Sequence, residues 1–261
     1  MDTKKYERIK NKIVSWLKDQ IELSNQKGFV LGISGGVDSA VVSTLCAMTG
    51  KPVLCLSMPI HQEPGQLIRA DAHGAWLKDK FGGSVKYETV DLTDFFEAGK
   101  KTLTQSFQTE LSLANMRSRC RMTTLYGYAN SLGFLVAGTG NKVEDFGVFF
   151  CTKWGDSAVD LSPIGDLMKT EVWELSEYLG IAESICKAKP ADGLWGDNRS
   201  DEDQLGASYP DLEWAMKEQE QGRINKDNLS MSKGEIWDIY VKWHSKGLHK
   251  SKPIPICYLT Q

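Results

Sequence analysis

The chain has 261 residues, long enough to enclose a sizeable core without disulfide or metal staples. Lys and Arg number 31 against 34 Asp and Glu, a formal charge of −3, which excludes the globally basic surface of a protein that coats nucleic acid. No run approaches ~18 apolar residues, and the charged start MDTKKYERIK has no apolar stretch behind it, so neither a membrane span nor a secretory signal is expected.

Residues 3–24 place Tyr6, Ile9, Ile13, Leu17 and Ile21 at helical spacing, which predicts an amphipathic helix broken by Asn25 to Gly28. Phe29–Ile33 reads as a short buried strand, and residues 39–49 as an apolar helix stopped by Gly50. A second strand at Val53–Ser57, a helix from about Glu63 to Lys80 and a third strand at Val85–Val90 follow. Two helical stretches come next, the longer over about Glu110 to Leu132, before a fourth strand at Phe134–Gly138. Short apolar strands alternating with helices predict a doubly wound α/β fold, a parallel sheet with helices on both faces. Residues 139–166 read as loop-rich, Lys169–Leu179 as a helix, 187–210 as a lid-like loop, and 211–220 and 232–246 as two further helices. With no repeat and no linker, one domain over residues 1–261 is expected. The six cysteines, Cys46, Cys55, Cys120, Cys151, Cys186 and Cys257, match no zinc spacing and read as reduced thiols of a cytoplasmic protein.

The informative stretch is Ser34-Gly35-Gly36-Val37-Asp38-Ser39, between a buried strand and an apolar helix. Its glycines allow a tight turn and close backbone approach, and the unsatisfied N–H groups of the first helical turn favour an anion. Asp38 would repel a phosphate there unless a divalent cation lay between them, so it reads as a magnesium ligand. The loop is neither a Walker sequence nor a GxGxxG turn. A serine or aspartate cap after a glycine turn is the bland alternative, and the flanking strand and helix weigh against it.

This SGGVDS loop resembles that of the ATP pyrophosphatase superfamily, whose adenine nucleotide alpha hydrolase-like fold agrees with the predicted sheet. Further motifs, in order along nearly the whole chain, resemble those of NAD synthetases: Gly138-Thr139-Gly140-Asn141-Lys142-Val143-Glu144, Phe149 to Asp156, Asp160 to Ile164, Lys169 to Val172, Gly193-Leu194-Trp195 with Ser200-Asp201-Glu202, Leu205-Gly206, and His249-Lys250. The resemblance implies ATP-dependent amidation of a deamidated pyridine nucleotide, nicotinic acid adenine dinucleotide, to NAD. A pyridine carboxylate attacks the α-phosphorus of ATP and releases pyrophosphate; ammonia then displaces AMP from the acyl-adenylate. It assigns Gly32, Ile33, Ser34, Gly35, Gly36, Val37, Asp38, Ser39, Thr139 and Lys169 to ATP, and Arg119, Lys153, Asp160, His249 and Lys250 to the pyridine substrate. Asp38 and Glu144 would hold Mg2+, and a homodimer is implied.

The first step brings an anion against a polyanion. Two like charges ~4 Å apart repel by ~1 kcal/mol in water and ~4 kcal/mol at an effective dielectric near 20, so the site needs cations. Mg2+ on Asp38 and Glu144, with Lys153 and Lys169 as fixed charges, meets that need. Asp156 is placed to attract ammonium and accept its proton in the second step. Of Arg117, Arg119 and Arg121, helical geometry sets the first and third on one face and Arg119 largely away.

Cys151 stands as an extra residue in its motif, Ser157-Ala158 replace the usual Gly-Gly, and Ala191 falls near an expected Thr or Ser hydroxyl. Such a chain has no room for a glutaminase domain, so free ammonia, or ammonia from a separate partner, is the expected nitrogen source. The same chemistry on the mononucleotide to give NMN, another ATP pyrophosphatase of the tRNA-modifying or GMP synthetase-like kind, and a non-catalytic nucleotide sensor are the competing readings. Retention of both Asp38 and Glu144 speaks against the sensor, and the net charge speaks against RNA.

Overall fold

The computed structural model describes residues 2–195, 199–223 and 229–259. Strands β1 (Gly28–Gly32), β2 (Val53–Ser57), β3 (Val85–Thr89) and β4 (Phe134–Val136) form one parallel sheet in the order β3-β2-β1-β4. Phe29 aligns with Val53 on one side and Leu135 on the other. Beyond β4, Ala137 bridges to Leu161 in parallel and carries the sheet one position further.

Side chains of successive strand residues point to opposite faces, and each face has its own core. Phe29, Leu31, Val53 and Cys55 pack on α1 (Thr3–Ser24), α2 (Val37–Ala47), α3 (Pro64–Phe81) and α6 (Lys169–Leu179). Val30, Leu54 and Leu56 pack on α4 (Thr93–Thr102) and α5 (Glu110–Leu132). The fold is therefore doubly wound, as the alternating elements predict. A third apolar cluster lies off the sheet. In it, a π-helical turn at Val143–Gly147 packs against α8 (Asp201–Leu205), α9 (Tyr209–Glu220) and α10 (Met231–Gly247) through Val143, Leu205, Leu212, Met216 and Tyr240. A four-residue α7 (Glu183–Cys186) completes the helices among the described residues.

The differences from expectation are local. Helix α2 begins at Val37, two residues early, because Gly36 takes the extended N-cap conformation; Asp38 thereby enters the first helical turn. The segment 187–210 holds α8, started by a reciprocal cap between Ser200 and Asp203; its residues 196–198 lie outside the described residues. The turn at Val143–Gly147 and α7 are each too short to show a period in sequence. Among the described residues no helix is long and apolar enough to cross a membrane.

Strand order fixes where a ligand can sit. From β1 the chain steps outward to β2 and β3, then returns to β4 on the opposite side of β1, so the crossovers part at the carboxyl ends of β1 and β4. The SGGVDS loop follows β1, and the Gly138–Glu144 segment follows β4.

Within the α2–α3 packing, the His73 imidazole is buried, meets Ser43 Oγ at 2.9 Å and stacks on Trp76. Burial pushes its pKa down to about 4. Between pH 6.5 and 4 the unfolded chain therefore binds a proton that the folded chain refuses, and stability falls as pH falls through that window. The loss attributable to His73 is about 3 kcal/mol. Urea unfolding at pH 6.5 and pH 4 should show His73→Gln losing less stability than the wild type by about that amount.

Candidate active site

The crevice at the switch point opens into a cavity of about 760 Å³. Among the described residues its wall carries eight Lys and Arg against six Asp and Glu, so an acidic protein is locally cationic here. Every residue expected at the site reaches this wall except Gly35 and Asp160. Gly35 makes the turn with φ +80°, and its carbonyl accepts Arg69 Nε at 3.1 Å. A Cβ there would run into the Gln66 carbonyl, so only glycine fits. Asp160 is exposed outside the cavity, where Oδ2 accepts the Val136 N–H at 2.8 Å and Oδ1 accepts the Tyr126 hydroxyl at 3.0 Å.

The loop after β1 is held by its own serines. Ser39 Oγ accepts the Ser34 N–H at 3.2 Å and donates to the Gly36 carbonyl at 3.0 Å. Ser34 Oγ accepts the Gly36 N–H at 3.2 Å. No side chain caps α2, which leaves its first-turn N–H groups to an incoming anion.

At the centre of the cavity Lys169 Nζ lies 2.6 Å from Asp38 Oδ2 and 2.9 Å from Glu144 Oε1, with only 2% of its side chain exposed. Three elements meet in these contacts: the start of α2, the π-helical turn after β4 and the first residue of α6. Asn141, fully buried, joins them. Its Nδ2 donates to Asp38 Oδ1 at 3.1 Å, and its Oδ1 accepts the N–H groups of Val143 and Glu144. The Tyr209 hydroxyl donates to Glu144 Oε1 at 2.6 Å. Burial alone would lower the Lys169 ammonium, but Asp38 and Glu144 outweigh it and hold the group above the usual lysine range. Burial opposes the Glu144 charge too, yet Lys169 and the Tyr209 hydroxyl keep it below the carboxylate range. For Asp201, burial and then Glu144 outweigh what Lys169 and the Tyr209 hydroxyl return, and its carboxyl is raised to about 7. Two carboxylate oxygens converging on one ammonium define a cation-sized position, and hard oxygen donors suit Mg2+. Asp38 and Glu144 would supply two such donors; among the described residues no group of three or more His, Cys, Asp and Glu surrounds the position.

The opposite wall is the segment from Phe149 to Asp156. Phe149 and Trp154 both take positive φ, at 53° and 61°, an uncommon conformation for aromatic residues. The extra residue Cys151 lies in this turn, and its carbonyl accepts Lys250 Nζ at 2.6 Å, beside the Phe149 carbonyl at 2.8 Å. Lys153 Nζ donates to the His249 carbonyl at 2.8 Å, so the tail and the substrate loop are zipped together. Asp156 Oδ1 accepts the Ser118 hydroxyl at 2.6 Å and the Thr152 N–H at 2.9 Å, while the Asp156 N–H donates back to Ser118 Oγ.

The arginines of α5 divide otherwise than helical spacing suggests. Arg119 and Arg121 both reach the cavity, Arg119 bonding the Lys153 carbonyl and Arg121 the Met58 carbonyl and Gln62. Arg117 lies over the Phe96 ring and donates to the Leu194 carbonyl at 3.1 Å. The cavity wall takes the α5 stripe Leu111, Ala114, Ser118, Met122 and Leu125, and Arg119 and Arg121 flank that stripe on either side. Sequence reasoning left Ser118, Asn141, Asp201 and Tyr209 without roles. Asn141 and Asp201 lie inside quoted motifs, whereas nothing local marks Ser118 or Tyr209.

Helix α10 bears on the Phe149–Asp156 loop through the Phe149–His244 and Phe150–Trp243 ring contacts and at Gly247, where a Cβ would collide with the Phe149 side chain. Gly234, on the same helix, has open space around it. Urea unfolding should show Gly234→Ala stabilising the chain by up to ~1 kcal/mol through helix propensity. Gly247→Ala should destabilise it by about 1–3 kcal/mol through overpacking.

The family model described as NAD synthase matches residues 9–253. An NH(3)-dependent NAD(+) synthetase from Carboxydothermus hydrogenoformans is 40% identical over 218 residues, covering 80% of this chain and 84% of the relative. One from Methanosarcina mazei is 36% identical over 260 residues, covering 97% and 99%. Among solved structures, the NMN synthetase from Francisella tularensis superposes with a TM-score of 0.84 at 30% identity, covering 98% of this chain and 99% of the other. With the glycine-rich loop, the paired carboxylates and the lysines assembled at the sheet's switch point, and the family pattern running through the whole fold, the chain belongs to the NAD synthase family.

Proposed function

We propose that the chain is an ammonia-dependent NAD synthetase that amidates nicotinic acid adenine dinucleotide to NAD through an acyl-adenylate, releasing AMP and pyrophosphate. The observation that carries this reading is the convergence on one cavity of the uncapped α2 terminus, the Asp38–Lys169–Glu144 cluster and the Lys153–Asp156 loop. The relatives named NH(3)-dependent are matched over most of their length, which supports free ammonia as the nitrogen source.

The ATP phosphates take the Gly32–Ser39 loop and the α2 N–H groups, with Thr139 and Lys169 as further contacts. Asp38 and Glu144 would hold Mg2+, which when bound supplies positive charge against the phosphates. Arg119, Lys153, His249 and Lys250 hold the pyridine nucleotide beside the α-phosphorus. Lys153 and Lys250 first release the carbonyls they bond. Asp156, fixed through Oδ1 by Ser118 and Thr152, attracts ammonium and takes its proton, so that NH3 attacks the acyl carbon and AMP leaves. Ala191 lines the cavity without the expected hydroxyl; one missing hydrogen bond there costs ~0.5–1.5 kcal/mol of ATP binding. A single domain, a homodimer and a reducing, cytoplasmic setting that suits six free thiols complete the reading.

A mononucleotide substrate is the second reading, favoured by the likeness to the Francisella NMN synthetase. Pyrophosphate release from ATP with ammonium and each acid in turn separates the two. Release with neither acid overturns both.

Asp38→Asn and Glu144→Gln keep shape and remove charge. Each should cut pyrophosphate release by ~10²-fold or more, the scale of one lost electrostatic stabiliser. Near-normal release would remove the metal assignment. Asp156→Asn should leave the pyrophosphate burst of a single turnover intact while slowing amide formation, so that acyl-adenylate accumulates. Wild-type amide formation should rise between about pH 7 and 8.5 as ammonium becomes easier to deprotonate. Equal slowing of both steps in Asp156→Asn would assign that residue to the first step.

A further inference from the structure

The oxygens that fit a divalent cation already hold an ammonium. Asp38 Oδ2 and Glu144 Oε1 lie 2.6 and 2.9 Å from Lys169 Nζ. A dication entering between them repels Lys169 at short range in a water-poor pocket, so the ammonium has to leave that position. Before ATP brings its phosphates to Lys169, the ammonium cannot leave for bulk water, because only 2% of its side chain is exposed. A buried charge of this kind needs another anion within reach.

The structure holds one such oxygen. Asp201 is 6% exposed and lines the same cavity. Its Oδ1 is the single buried side-chain oxygen or nitrogen among the described residues with no hydrogen-bond partner. Its Oδ2 lies 3.2 Å from the Tyr209 hydroxyl, whose one proton is directed to Glu144 at 2.6 Å, so Asp201 is underserved at both oxygens. Lys169 Nζ lies over the ring of that same tyrosine, 4.8 Å from its centroid. Tyr209 thus touches Lys169, Glu144 and Asp201 together. The Asp201 N–H donates to the Pro190 carbonyl at 2.9 Å, which anchors the start of α8, and the Asp201 carboxyl is near enough to help hold the Lys169 ammonium charged. An orphaned acceptor beside a cation that must move is a second seat for it.

We propose that Asp201 is the receiving carboxylate for Lys169: when a divalent cation takes Asp38 and Glu144, the ammonium passes across the Tyr209 ring to Asp201 Oδ1. Asp201 is in this sense a positioning residue. It keeps Lys169 charged, buried and inside the cavity while the metal binds, and it lowers the repulsion that the metal meets. The inference rests on the divalent-cation reading of Asp38 and Glu144.

The test is Mn2+ titration of the nucleotide-free full chain, with free Mn2+ read by electron paramagnetic resonance, in wild type, Asp201→Asn, Lys169→Met and the double variant. Asp201→Asn should weaken Mn2+ about ten- to hundredfold, the usual effect of a lost outer-shell partner. In the Lys169→Met background, where no ammonium has to move, the same change should shift Kd by no more than about twofold. An unaltered Kd in the wild-type background overturns the proposal. So does an equal loss in both backgrounds, which would make Asp201 a direct ligand or a structural residue. Should Asp201→Asn fail to fold, a crystal of the wild type with Mn2+ decides. Lys169 Nζ within hydrogen-bond reach of Asp201 supports the transfer, and Lys169 still seated on Asp38 overturns it. A wild type that binds no Mn2+, or binds it equally after Asp38→Asn, removes the cation reading itself and the proposal with it.

Discussion

One buried ammonium organises the centre of this protein. Lys169 starts α6, where the helix dipole disfavours a cation, and lies almost wholly out of water. It is tolerable only because Asp38 and Glu144 reach it from two other elements. Removing Lys169 leaves two buried carboxylates facing each other without a cation, a loss of about 3–5 kcal/mol in comparable buried pairs. The cluster therefore requires β1, β4 and α6 to be in register with one another. A parallel sheet whose order reverses beside β1 is what brings their ends together.

The surroundings keep that arrangement rigid. Asn141 ties the loop of Asp38 to the turn of Glu144 by filling its own donors and acceptors on both sides. Glu213 of α9 is 3% exposed and accepts both the N–H and the hydroxyl of Thr170, next to Lys169. An acidic side chain at that helix start offsets what Lys169 costs there. The apolar cluster of α9 and α10 exists to hold this side of the cavity, since it packs on the π-helical turn and not on the sheet.

The substrate side is built differently. Lys153, Lys250 and Arg119 all bond backbone carbonyls, and two aromatic residues of the loop adopt positive φ. Hydrogen bonds to carbonyls are exchanged for ligand contacts at little net loss. A rigid end around Lys169 and an exchangeable end around Lys153 suit the proposed two-step reaction, in which ATP is engaged first and the second nucleophile enters later. The departures at Cys151 and Ser157-Ala158 fall on the exchangeable side, whereas Ala191 lines the cavity where a hydroxyl contact to ATP is expected.

The sequence by itself determined the parallel doubly wound sheet, because short apolar strands and amphipathic helices announce themselves through local periodicity. It also marked most of the cavity wall, because a glycine turn with an acid in it has few chemical uses and the later motifs follow in order. What only the tertiary structure decided were pairings across long stretches of chain. Lys169 is 131 residues from Asp38, and Tyr209 is 65 from Glu144, so no spacing rule connects them. Tertiary packing also settled which arginines of α5 reach the cavity, and it left Asp160 outside. Asp201 shows the limit most plainly. In sequence it belongs to the motif Ser200-Asp201-Glu202 but carries no role there, and only the burial of an unpartnered Oδ1 distinguishes it, a property that belongs to the space around a side chain and not to its neighbours along the chain.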